Sequence, residues 1–275
     1  MIDYHERNAS HFADNKDVPY SCGGDNNLIK TRKTYKELYK IAMVQADVLG
    51  YSMGGLLARI WANTGDYSYL RNNNYWQGDY NKLITLDTPH YGSFLAEAGV
   101  RCVSSAHSKL MDRILKEMDK HGQFLTKGAV ADLMVSSDAI KDMNKSKTFV
   151  LCHAILGNYS EAYLTANVTP NGTKWVIEGL PYTENLGFGV EFSPYAILNA
   201  LLDEGYGYII NLAMNIGTDL VADTVSQSGG LDSAYASVYD HHHMAVTYNV
   251  VLWRVIELLN ASADAGLFAD KFPEN

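Results

Sequence analysis

Residues 45–65 read QADVLGYSMGGLLARIWANTG, and this stretch decides the fold. The segment 45–49 is short and mostly apolar and stops at Gly50, which predicts a buried strand. Apolar residues then recur at helical spacing, and they are Leu56, Leu57, Ile60 and Trp61. The run Asn63-Thr64-Gly65 supplies a stop signal for that helix. The stretch therefore predicts a strand, a sharp turn and a helix.

Ser52 lies on this turn, inside a Gly-x-Ser-x-Gly pattern. A serine between a strand and a helix holds its hydroxyl clear of the backbone, which is the arrangement of a nucleophile elbow. We expect Gly50 and Gly54 to be needed because the turn brings backbone segments close together. The helix also points its positive end at the place where an oxyanion would form. The pattern alone occurs in roughly one chain in ten of this length, so its flanking strand and helix carry the prediction.

Two segments resemble a known family. Residues 47–59, DVLGYSMGGLLAR, resemble the elbow of α/β-hydrolase lipases and esterases, and residues 83–93, LITLDTPHYGS, resemble the strand and Thr-Pro-His-x-Gly-Ser turn that follow it. The resemblance implies one α/β-hydrolase domain over residues 1–275, with a mostly parallel sheet flanked by helices. Tyr51 stands where these lipases usually have histidine, and we expect it to contact the substrate.

The opening of the chain departs from the family. No His-Gly oxyanion loop precedes Ser52, and residues 1–34 are polar, with a helix predicted only at about 35–42. We therefore expect an N-terminally shortened hydrolase. The backbone N–H of Met53 is the predicted first oxyanion donor, and the segment 22–24 (Cys-Gly-Gly) or another subunit is the candidate second donor. A sheet edge left exposed by missing strands predicts a homodimer.

Two insertions are expected to form a lid or to shape the pocket, at residues 93–143 and 158–208. The first is helical, and one apolar face comprises Leu110, Met111, Ile114, Leu115 and Met118. We favour packing of this face on the sheet, with a mobile lid as the alternative. The second insertion has a mixed secondary-structure pattern with turn signals, and it is expected to shape the acyl or alcohol pocket. Further core strands are predicted at 82–86 and 148–154.

The resemblance also implies an acid and a base for Ser52, in the chain order nucleophile, acid, base. Residues 217–228, GTDLVADTVSQS, resemble the acid loop of lipases and imply Asp219, with Asp223 as the alternative. Residues 240–247, DHHHMAVT, precede a final helical pattern and imply His243, with His242 and then His241 as alternatives.

Composition narrows the function classes. The formal net charge of −9 and the pI near 5.4 argue against nucleic acid as a partner. No apolar run is long enough for a transmembrane segment. We expect no cofactor and no metal, because adjacent histidines diverge and no HExxH spacing occurs. The localisation stays open, since similar lipases are mostly exported while this sequence shows no signal peptide.

The elbow at Ser52 and the resemblance to lipases and esterases together imply a serine carboxylic ester hydrolase of the esterase or lipase type. It would act through an acyl-enzyme on a small-molecule or lipid ester, with Ser52, Asp219 and His243 as the catalytic triad. An acyltransferase or thioesterase with the same triad is one alternative. A catalytically weak hydrolase fold that serves as a binding protein is the other.

Overall fold

The structure is a computed structural model. It describes residues 45–63, 69–70, 72–105, 128–146, 148, 150–169, 172–180, 198, 201–202, 205–245 and 249–273. The predicted helix at 35–42, the segment 22–24 and the apolar face at 110–118 lie outside these residues. The shortened opening and the division into one domain with two insertions stay predictions.

The described strands and helices follow one another along the chain. The strands are β1 (Ala46–Tyr51), β2 (Tyr80–Leu86), β3 (Leu151–Gly157), β4 (Tyr163–Thr169), β5 (Gly172–Glu178) and β6 (Ala236–Tyr239). The helices are α1 (Met53–Asn63), α2 (Phe94–Ser105), α3 (Ala129–Asp132), α4 (Asp138–Lys145), α5 (Gly207–Ile216), α6 (Thr224–Ser228) and α7 (Asn249–Asn260), with 3₁₀ turns at Asn72–Asn74 and Ser233–Tyr235.

Four strands form a parallel sheet in the order β1-β2-β3-β6, and helices flank it. The predicted α/β class is thereby confirmed. The register pairs Tyr51 with Leu86 and Gly157 with Tyr239, so the carboxyl ends of the strands lie along one edge. In open parallel sheets this edge is where reactive groups gather. The strands β4 and β5 form a separate antiparallel pair within the second predicted insertion.

The sheet buries side chains on both faces, as parallel sheets do. Because successive strand residues point to opposite faces, Leu83 packs with α1 on one side while Ile84 packs with α7 on the other. Leu156 and Ile155 of β3 divide between the faces in the same way. A further cluster joins α2 and α5 to β5. None of the helices in the described part of the chain has the length and apolar character needed to cross a bilayer.

A buried lysine fixes the end of α7. Lys82 is 2% exposed, and its ammonium donates to the carbonyls of Leu258, Leu259 and Ala261 at 3.0, 3.0 and 2.8 Å. The last carbonyls of a helix have no partner inside it, so a cation beside Leu258 and Leu259 satisfies two of them and complements the helix dipole. Asp47 lies 3.1 Å from the same ammonium. This contact docks α7 against β2.

Some predicted boundaries and faces were wrong in detail. The strand expected at 148–154 runs from Leu151 to Gly157, because pairing with β2 begins only at Leu151. In α1, Leu57 and Ile60 are exposed, whereas Arg59 is fully buried against the ring of Phe272. The stem and planar head of arginine pack on an aromatic ring as a hydrophobic side chain would, which a binary hydrophobic pattern does not register.

Candidate active site

The turn between β1 and α1 holds Ser52 at the carboxyl end of the sheet. Ser52 has a φ of 51°, a left-handed conformation that is uncommon for a non-glycine residue. Its N–H donates to the carbonyl of Leu86 at 2.8 Å, which ties the turn to the neighbouring strand. The strand, turn and helix expected around this serine are therefore all present.

The glycines of the turn differ in whether the structure leaves room for a side chain, and not in the way we expected. A Cβ added at Gly50 would lie 2.5 Å from the Cα of Gly55, so the crossing of strand and helix requires Gly50. A Cβ at Gly55 would overlap the side chain of Thr88. A Cβ at Gly54 meets no described atom within 4 Å, so the expected close approach at Gly54 was wrong. The helix packs on the turn after β2 through Gly55, because Gly54 faces away from it.

The Asp219 loop is shaped by its own hydrogen bonds. The Oδ1 atom of Asp219 accepts from the N–H groups of Val221 and Ala222 at 2.9 and 2.8 Å. Gln227, which is fully buried, bridges this loop to β3 through Ala222 and Gly157. These contacts leave Oδ2 of Asp219 facing the loop that carries the histidines.

Each of the three adjacent histidines has a different environment. His241 pairs with Asp87, with Nε2 2.9 Å from both carboxylate oxygens. The His242 ring meets the ring of Tyr159 edge-on, with centroids 5.3 Å apart. His243 alone faces Ser52, and its backbone N–H donates to the carbonyl of Asp219 at 2.9 Å. The structure therefore places neither His241 nor His242 as the hydrogen-bonded neighbour of Ser52.

Three residues that are distant in sequence meet at one point. The Oγ atom of Ser52 lies 2.8 Å from Nε2 of His243, and Nδ1 of His243 lies 2.6 Å from Oδ2 of Asp219. Asp219 is fully buried and His243 is 5% exposed, while Ser52 is half-buried. Burial acts to lower the pKa of His243, but the carboxylates of Asp219 and Asp87 outweigh it and raise that pKa above its ordinary value.

Asp223, the alternative acid, has another task. It is the N-cap of α6, and its Oδ1 accepts from the N–H of Ser226 at 2.8 Å. A carboxylate at this position satisfies a helix N-terminus and complements its dipole. The structure does not bring Asp223 to His243.

The two residues that flank Ser52 also lie at the site. Met53 is the first residue of α1, and its backbone N–H has no acceptor among the described residues. The hydroxyl of Tyr51 donates to the carbonyl of His243 at 2.6 Å, and its ring centroid is 5.3 Å from that of the imidazole. Tyr51 thus holds the histidine loop, which the expectation of a substrate contact did not anticipate.

Sequence reasoning assigned no role to Asp87. This residue follows directly on β2, is fully buried and adopts a φ of 49°. Its N–H donates to the carbonyl of Ile155 at 2.9 Å. The available signal was an aspartate immediately after a buried strand, at the edge where the serine was expected. In the same turn His90 is buried, lies 3.1 Å from the hydroxyl of Thr85 and packs on Phe272, as a structural histidine does.

One group of donors in the described part of the chain has metal-ligand chemistry. Asp87, Asp219 and His243 each offer one ligand atom, and these three atoms lie within 4.8 Å of one another. These side chains are already engaged, because Asp219 and His243 bond to each other and Asp87 is held by His241. A divalent ion would have to break those contacts to enter. The expectation of no metal and no cofactor stays a prediction.

Comparison with known proteins adds little to this geometry. No family model and no curated protein matches the sequence. Among the solved structures that match is the Bacillus licheniformis lipase BlEst2 in its mature form. The two chains share 16% sequence identity at a TM-score of 0.41, over 85% of this chain and 71% of the lipase. A likeness at this level carries no information about the chemistry of the site.

Proposed function

We propose that the protein is a serine carboxylic ester hydrolase of the α/β-hydrolase type, with Ser52 as nucleophile, His243 as base and Asp219 as orienting acid. The observation that carries the proposal is the pair of contacts at 2.8 and 2.6 Å that link Ser52, His243 and Asp219 in that order. A hydroxyl is a weak nucleophile, and this chain of contacts is the arrangement that activates one.

The proposed reaction is acyl transfer in two steps. His243 takes the proton of the Ser52 hydroxyl at Nε2 while Oγ attacks the ester carbonyl, and Asp219 stabilises the imidazolium that forms. His243 then gives the proton to the departing alcohol, which leaves an acyl group on Ser52. Water attacks this acyl-enzyme with His243 again as base, and the carboxylic acid and the free serine are the products.

The N–H of Met53 is the proposed first oxyanion donor, because it follows the nucleophile at the start of α1. The segment 22–24, or a second subunit in the predicted homodimer, stays the candidate second donor. Losing one such donor typically costs on the order of 3 kcal/mol in the transition state. Substrate contact by Tyr51 also stays a prediction, and we expect its ring to make that contact since its hydroxyl is bonded to His243.

The test uses p-nitrophenyl esters of increasing acyl length together with a fluorophosphonate probe. The wild type should hydrolyse the esters and take up the probe, and Ser52→Ala should do neither. Ser228→Ala is the matched control, because that hydroxyl bonds only to nearby backbone, donating to the carbonyl of Val225 and accepting from the N–H of Gly230. Wild-type protein that neither turns over nor reacts with the probe would overturn the proposal and favour a binding protein.

The same series identifies the substrate class. A maximum at short acyl chains would indicate an esterase, whereas a maximum at long emulsified chains would indicate a lipase. Faster turnover of thioesters than of matched oxygen esters would favour a thioesterase that uses the same three residues.

A further inference from the structure

A second carboxylate–imidazole pair lies beside the Ser52–His243–Asp219 array. Asp87 and His241 are both fully buried, and Nε2 of His241 is 2.9 Å from each oxygen of Asp87. The other ring nitrogen of His241, Nδ1, is buried and has no hydrogen-bond partner among the described residues. The pair is therefore closed to solvent and to further partners.

This geometry fixes where the protons of the pair reside. Nε2 of His241 must carry a proton to donate to the carboxylate of Asp87. A second proton on Nδ1 would create a buried, charged donor without an acceptor, which is strongly unfavourable. A protonated Asp87 that donated to Nε2 would likewise place the imidazole proton on Nδ1, where it has no acceptor. The arrangement that satisfies the buried donors is therefore a neutral imidazole with an ionised carboxylate, and it carries one negative charge.

That charge lies next to the proposed base. Ligand atoms of Asp87, Asp219 and His243 lie within 4.8 Å of one another. The ionisable groups that face Asp87 are Asp219, His241, His243 and the hydroxyl of Tyr51. Burial raises the pKa of Asp87, which the bond from His241 only partly offsets. A carboxyl whose pKa is raised by folding weakens the fold once it ionises, so Asp87 does not contribute a net stabilising charge at neutral pH.

The end of β3 is left without a side chain where the two pairs pack together. A Cβ added at Gly157 would lie 2.8 Å from Cβ of Asp219 and 3.1 Å from Nε2 of His241. Only glycine lets both acid–histidine pairs pack this closely, which makes them one assembly.

Building on the proposed function, we propose that Asp87 is a positioning residue for the triad. Its buried carboxylate, oriented by His241, adds a second negative charge that stabilises the imidazolium formed on His243 when Ser52 attacks. The proton moves only from Oγ of Ser52 to Nε2 of His243 and then to the departing alcohol. Asp87 neither gives nor takes a proton in the cycle.

The test removes the charge in two ways, with Asp87→Asn and Asp87→Ser, and compares both with Asp223→Asn. The control removes an equal charge from the cap of α6, where asparagine is as good a cap as aspartate. The readouts are the pH profile of kcat/KM and the NMR titration of the His243 imidazole. Both Asp87 variants should lower the pKa of His243 by about one unit, within the range that effective dielectric constants of about 20 to 80 give at this separation.

We expect kcat in the Asp87 variants to fall by up to about tenfold. A fall of about one unit in the pKa of His243 means that its imidazolium is about tenfold less stable, and the rate can fall by the same factor. The KM of the Asp87 variants should not change, and Asp223→Asn should keep the wild-type kcat and KM. In wild-type protein, ¹⁵N NMR should find His241 neutral with its proton on Nε2. A doubly protonated His241 at neutral pH, or an unchanged His243 titration in both Asp87 variants, would overturn the proposal. If the wild type hydrolyses no ester, the proposed function fails, while the titration still decides the effect of Asp87.

Discussion

Replacing Asp219 by asparagine tests the proposed acid most sharply, because the structure dictates how the new amide must lie. Oδ1 of Asp219 accepts from the N–H groups of Val221 and Ala222. An asparagine at this position must keep its oxygen there, since an amide NH₂ would face two donors. The NH₂ group is then forced toward Nδ1 of His243, where the carboxylate oxygen now lies at 2.6 Å.

The imidazole must respond by moving its proton. With an NH₂ group opposite Nδ1, His243 carries its single proton on Nε2 and points it at Ser52, so it cannot accept the serine proton. The imidazolium also loses a charge at 2.6 Å, worth about 6 kcal/mol at an effective dielectric constant of about 20. Both effects predict a loss of kcat on the order of 10⁴, the size that a wrong histidine tautomer causes in serine proteases.

The assay is steady-state hydrolysis of a p-nitrophenyl ester, with the concentration of competent sites measured by fluorophosphonate titration. Asp223→Asn is the matched control, four residues along the same loop, and should retain wild-type kcat because the cap of α6 is preserved. Asp219→Asn with kcat within about tenfold of wild type would refute the assignment of the acid, since tenfold corresponds to only about 1.4 kcal/mol. Loss of activity in Asp223→Asn alone would assign the acid to Asp223 instead.

Three further predictions concern His243 and the packing of α1. The base must be neutral to act, and the pKa of His243 is raised above 6.5. As the pH is lowered, kcat/KM should therefore fall, and it should reach half its maximum at a pH above 6.5. The stabilising contribution of protonated His243 has the opposite dependence, present below pH 6.5 and lost as the pH rises through the raised pKa, and thermal melts of wild type and His243→Ala against pH would measure it. Gly55→Ala should lose about 1–3 kcal/mol of unfolding free energy by overpacking against Thr88. Gly54→Ala should be neutral or stabilising in urea titrations, and equal losses in the two variants would contradict the packing described for α1.

The local part of the site could be predicted from the sequence because its signals are local. A strand, two glycines and an apolar helical period around Ser52 are read within about 20 residues of one another. The order of the triad along the chain then limited the acid and the base to short loops. The choice between Asp219 and Asp223 was open on residue chemistry alone, and the structure separates them because one caps α6 and the other faces His243.

The remainder depends on contacts that no local pattern encodes. The pairing of Asp87 with His241 joins residues separated by 154 positions. It forms because β2 and β6 end at the same edge of the sheet. Burial of Arg59 and Lys82 likewise depends on partners from the carboxyl-terminal segment. A charged residue inside an apolar pattern is ordinarily assigned to the surface, so these two positions contradict the pattern for tertiary reasons.

Backbone strain shows that the site geometry is held at a cost. Five non-glycine residues in the described part of the chain have a positive φ, and three of them, Ser52, Asp87 and Leu220, lie in the loops that form the site. Each such conformation costs about 1–3 kcal/mol and persists only where the surroundings enforce it. Ser52 and Asp87 are each fixed by a backbone bond to the next strand, to Leu86 and Ile155. The parallel sheet is therefore the rigid element that holds the strained turns at Ser52 and Asp87 beside His243.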